Sequence, residues 1–147
     1  MGKGILLLLA TTLTNYSLEN ANSPVFKIHA IGNTNNKVKK LRLLMESNIR
    51  RVAEKRIVYL RKLFLSRDSL IENSEIINTY IDEVLSIITF STQIELAYEA
   101  GVIFESIKED IELKSSILQK IFKNSKNIPW ILSNTSSISI GKINSMA

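Results

Sequence analysis

From Lys37 to Arg67 the chain contains neither glycine nor proline, and Val38, Leu41, Met45, Ile49, Val52, Leu60 and Leu63 recur at intervals that return to one helical face. Nothing in so long a stretch interrupts a helix. The spacing therefore predicts one long amphipathic helix over this span. After the break "SRDSLIENS", a second helix is predicted from about Glu75 towards Glu112, apolar on most of its circumference between Val84 and Phe104. A helix of that kind belongs in the middle of the packing. Gln93, Glu95 and Glu99 within it argue against a membrane span. A third helix is predicted from Leu113 to Lys126, with Ile117, Leu118, Ile121 and Phe122 on its buried side and Asn127 to Pro129 ending it.

Charge divides along the same lines. Residues 37–68 hold eleven basic side chains against three acidic ones, a net of +8, whereas residues 69–113 hold ten acids against Lys108, a net of −9. Helices joined by a short link lie antiparallel, so the partition suggests a hairpin of a basic and an acidic arm. Arg42, Arg56 and Arg67 fall within the apolar stripe of the first helix, and Glu95 and Glu99 continue the stripe of the second. A buried charge needs a partner. The expected solution is a structural ion-pair network of Arg42 and Arg56 with Glu95 and Glu99. The competing reading makes the two glutamates a cation or general-acid site.

Outside the helices, "PVFKIHAI" alternates as a strand, and "GNTNN" marks a turn. Lys3 followed by "ILLLLATTL" and a polar stretch has the order of a secretory signal, so residues 1–23 read as a signal peptide or an N-terminal apolar segment. Residues 24–132 read as a single helical domain and 133–147 as a polar tail. In that tail Ile138, Ile140 and Ile143 offer an edge strand beside residues 24–31. The expected fold is mainly α: a long antiparallel helical hairpin plus a third helix, a small helical bundle with at most a two-stranded β flank.

Function is read largely from what is missing. The chain has no cysteine and one histidine, His29, which removes thiolate sites, Cys nucleophiles and multi-His metal centres. No cofactor or catalytic motif stands out, so the expectation is no enzyme, no cofactor and no metal. The predicted role is a small interaction protein, exported to a cell envelope or surface, acting through its helical faces on a protein partner or a second copy of itself. The alternative is an intracellular or viral assembly subunit whose basic face, Lys40, Arg50, Arg51, Lys55, Arg61 and Lys62, contacts nucleic acid through phosphates. Aromatic residues are sparse there, so that binding is expected to be weak. Trp130, after Pro129, is expected to anchor the third helix to the core.

Overall fold

The computed structural model describes residues 2–67 and 69–133. They form two compact units, one spanning Lys3–Thr92 and the other made by Gly2 with the described residues from Gln93 onward.

In the first unit, helix α1 (Gly2–Glu19) precedes strand β1 (Ile28–Ile31), helices α2 (Asn35–Lys55), α3 (Ile57–Leu63) and α4 (Asn73–Ser86), and strand β2 (Ile88–Ser91). Strands β1 and β2 pair in parallel, with Ile28 opposite Ile88 and Ile31 opposite Ser91. The Thr34 hydroxyl caps α2 by accepting from Lys37 N at 3.3 Å. A reciprocal capping box starts α4, in which the Glu75 carboxylate accepts from Glu72 N at 2.8 Å. Ala10 of α1, Ala30 of β1, Met45, Ile49 and Ala53 of α2, Leu60 of α3, Tyr80 and Val84 of α4 and Ile88 of β2 make one buried core.

In the second unit, a 3-10 turn (Ile94–Glu99) leads to strand β3 (Val102–Glu105), helix α5 (Ile111–Asn124) and strand β4 (Trp130–Ser133). Strands β3 and β4 are again parallel, with Val102 opposite Trp130 and Glu105 opposite Ser133. Parallel neighbours need a crossover rather than a tight turn, and α5 supplies it. Asp110 caps α5 by accepting from Leu113 N at 3.0 Å. Leu118 and Ile121 are its buried apolar residues.

The expected helical bundle is therefore replaced by helices alternating with parallel strands. The correction falls mainly on the second long helix. The run from Val84 to Phe104 contains the end of α4, then β2, the 3-10 turn and most of β3. Strands of a parallel sheet covered on both faces carry near-continuous apolar runs. Over so few residues, periodicity does not separate such runs from a buried helix. The first long helix is real but broken at Arg56, whose N–H bonds the carbonyls of Val52 and Ala53. Beyond the break, Leu60 and Phe64 enter the core.

Three other expectations concern the two ends of the chain and Trp130. The leader-like segment is α1, held in the fold by buried Ala10, Thr11 and Thr14 and by a 2.8 Å hydrogen bond from the Tyr80 hydroxyl to Asn15 Oδ1. Nothing in the fold supports the expected secreted character. Trp130 is 78% exposed rather than an anchor. The β-flank partners Ile138, Ile140 and Ile143 lie outside the described residues.

Candidate functional site at the carboxyl ends of the parallel strands

Strand β3 ends on a carboxylate, because the apolar run Val102-Ile103-Phe104 stops at Glu105. Glu105 is only 4% exposed, and a charge so deep must be matched. Lys114 Nζ of α5 lies 3.4 Å from Glu105 Oε2, with both side chains almost wholly buried. Ser133, the last residue of β4, donates its hydroxyl to the same oxygen. The backbone N–H of Ile107 donates to Oε1. Both carboxylate oxygens are thus held from the segment after β3, the crossover helix and the end of β4.

Just after Glu105, Ser106 lies against Gly2, which belongs to the same compact unit. A Cβ on Gly2 would lie 2.9 Å from Ser106 Oγ and 3.0 Å from Ser106 Cβ, so a residue without a side chain permits this approach. The cluster is built at the carboxyl ends of two parallel strands, where open α/β sheets place their ligands. With both oxygens engaged and the side chains buried, the cluster fixes the end of β3 against α5 and the end of β4.

The residues singled out from the sequence lie elsewhere. Glu95 pairs with Lys120 at 3.2 Å and Glu99 with Lys126 at 3.8 Å, and all four side chains are more than half exposed. Bonding to the Glu95 backbone, then to Lys120, holds the Glu95 carboxyl below its ordinary range. Arg42 and Arg56 are exposed, and the Arg56 guanidinium sits 4.5 Å above the Tyr59 ring centroid. Arg67 pairs with Glu83 at 2.8 Å and lies over Phe64. These arginines avoid burial because their long stems carry the guanidinium out of the apolar stripe.

The six basic-face residues Lys40, Arg50, Arg51, Lys55, Arg61 and Lys62 are all exposed. Two are partly committed: Arg50 donates to Asn78 Oδ1 at 3.0 Å, and Arg61 donates to Asn73 Oδ1 at 2.9 Å and to the Ile71 carbonyl. His29 is exposed on β1. Sequence reasoning missed Glu105, Lys114, Ser133 and Gly2. The available signal was an acid closing a short β-branched and aromatic run after Gly101, followed by a capped helix.

The whole chain, residues 1–147, matches the family described as 3-hydroxyacyl-CoA dehydrogenase, NAD binding domain. Among curated proteins there is no significant match. Among solved structures, the dehydrogenase part of multifunctional enzyme 1 from C. elegans is similar over 94% of this chain and 26% of that chain, with a TM-score of 0.57 and 14% identity. FadB2 of M. tuberculosis is similar over 93% of this chain and 40% of that one, with a TM-score of 0.55 and 19% identity. At these identities the likeness is one of fold, and this chain spans well under half the length of either protein.

These findings give the alternating helices and parallel strands their frame, a Rossmann-like domain, and overturn the expectation of a non-enzymatic interaction protein. The family and its structural neighbours are dehydrogenases. By its full-length match, the chain belongs to the 3-hydroxyacyl-CoA dehydrogenase NAD-binding-domain family.

Proposed function

We propose that this domain binds a nicotinamide dinucleotide for an oxidoreductase that acts on 3-hydroxyacyl-CoA. The observation that carries the reading is the family match over residues 1–147, on parallel strands whose carboxyl ends are marked by Glu105 and Ser133. Ligands of open α/β sheets lie against those strand ends.

Two parts of the fold bear on whether the residues fit NAD. At the start of α1, a Cβ on Gly2 would crowd the Ser106 side chain, so Gly2 is a point of close approach. The α1 N-terminus is suited by its dipole to a pyrophosphate. The full G-x-G-x-x-G string does not occur in the 147 residues, where Gly2 and Gly4 are followed by Leu7 at the third position. At the end of β1 the fit fails. The fingerprint calls for an acid that accepts from the ribose hydroxyls of NAD, and Ile31, Gly32, Asn33 and Thr34 stand there instead. The α1 N-terminus has the dipole for a pyrophosphate without the full fingerprint, and the adenosine-ribose end does not suit NAD.

The test is binding by the whole chain. Reduced nicotinamide dinucleotides, NADH and NADPH, are titrated separately and followed by their own fluorescence. At least one is expected to bind saturably. No binding of either would overturn the reading.

A further inference from the structure

The mismatch at β1 has a chemical direction. An acid at the end of this strand does two things in a dinucleotide site: it accepts hydrogen bonds from the ribose diol, and its charge repels a phosphate on the 2′ oxygen. In this chain no aspartate or glutamate occurs between Glu19 and Glu46. Residues 20–45 instead hold Lys27, Lys37, Lys39, Lys40 and Arg42, a net of +5.

The turn after β1 is closely packed and its side chains are neutral. Gly32 N donates to the Ser91 carbonyl at 2.9 Å, which ties the end of β1 to β2. A Cβ on Gly32 would meet Val38 Cγ2 at 2.8 Å, so the turn hugs the first turns of α2 and has no room for a larger residue. The Thr34 hydroxyl is engaged in capping, accepting from Lys37 N. Asn33 is exposed and neutral, and Lys37 is exposed within four residues of it. Among the described residues Lys37 makes no ion pair.

Resting on the reading that the domain binds a nicotinamide dinucleotide, we propose that the β1 end takes a 2′-phosphorylated adenosine ribose, so that the chain binds NADPH at least as tightly as NADH. The group that excludes a 2′-phosphate is missing, and the charges that remain attract one. Asn33 serves either ribose as a neutral hydrogen-bonding side chain, and Lys37 supplies positive charge beside it.

The experiment compares NADPH and NADH on the full chain, each titrated by its own fluorescence, with the salt dependence measured for both. The expected result is a dissociation constant for NADPH equal to or below that for NADH, and a steeper loss with salt for NADPH because of its extra charge. Asn33→Asp, an exposed change that leaves the core untouched, is expected to move the ratio of the two constants towards NADH by about tenfold, the scale of a hydrogen bond to a charged group. Tighter binding of NADH than NADPH by the unmodified chain would overturn the proposal while leaving dinucleotide binding intact. An unchanged ratio in Asn33→Asp would overturn the placement of the ribose. Failure of both dinucleotides to bind would overturn the functional reading and this inference with it.

Discussion

Replacing Lys114 by methionine keeps most of the side-chain length but removes the cation that matches Glu105. The pair is almost wholly buried, with side chains 1% and 2% exposed, so water cannot take over the role of the ammonium. Removing one partner of a buried ion pair costs about 3–5 kcal/mol, because the other charge is left uncompensated. Glu105 keeps two hydrogen bonds, from Ile107 N and from the Ser133 hydroxyl. Bonds to a charged acceptor contribute about 1.5–3 kcal/mol each, so a loss near the lower end, about 3 kcal/mol, is expected. Against a total of about 5–15 kcal/mol for a domain, that is a large fraction.

Glu105→Gln alone strands the Lys114 ammonium and should cost a similar amount. The double variant Glu105→Gln with Lys114→Met buries no charge, so it should cost less than the sum of the singles by about 2–3 kcal/mol, near the upper range of measured coupling energies. Urea unfolding followed by the far-ultraviolet circular dichroism of the helices is suited to this test. A Lys114→Met loss below about 1 kcal/mol, or a double variant that is simply additive, would show that Glu105 is not the buried, matched charge described above.

Other consequences are equally direct. Burial and, next, the hydrogen bond to Glu19 raise the Tyr59 hydroxyl from 10.0 to about 12. A group raised on folding stabilises fully below its unfolded value and loses that contribution as pH rises through the folded one. Stability should thus fall between about pH 10 and 12, and a melting series over that range should flatten in Tyr59→Phe. Gly2→Ala places a methyl against Ser106 and should destabilise by about 1–3 kcal/mol as overpacking; Ser106→Gly in the same chain should recover most of that loss in a urea titration. Lys120→Ala breaks an exposed pair with Glu95 and should leave the unfolding midpoint unmoved, in contrast to Lys114→Met. Trp130, at 78% exposure, should emit as a water-exposed indole and be quenched readily by iodide, and a shielded emission would contradict its placement on β4.

Local patterns were legible wherever one element could be decided by its own residues. The stretch from Lys37 forms helix because a Thr34 cap, an unbroken run of helix-compatible residues and a single apolar face agree, and none of these needs a distant partner. The alternation of Pro24 to Ile31 contains β1, and the Asp110-capped segment is α5, displaced by two residues from the expected span. The absence of an acid between Glu19 and Glu46 is likewise a plain fact of the sequence. Its meaning is not, since it becomes chemical only once those residues are placed at the carboxyl end of a parallel strand.

Tertiary structure decided the rest. "ITFS" and "VIFE" are strands because β1 and β4 lie alongside them and take up their backbone hydrogen bonds in parallel. Their burial pattern by itself suits a central helix equally well. The same holds for charge. Residues 37–68 and 69–113 do balance in sign, but sign carries no address. Glu95 and Glu99 are met by Lys120 and Lys126 in the open, while Glu105, one acid among ten in its segment, is the one enclosed with Lys114. Which carboxylate is buried depends on where a strand ends and which helix crosses over it, and those positions exist only after distant parts of the chain have come together.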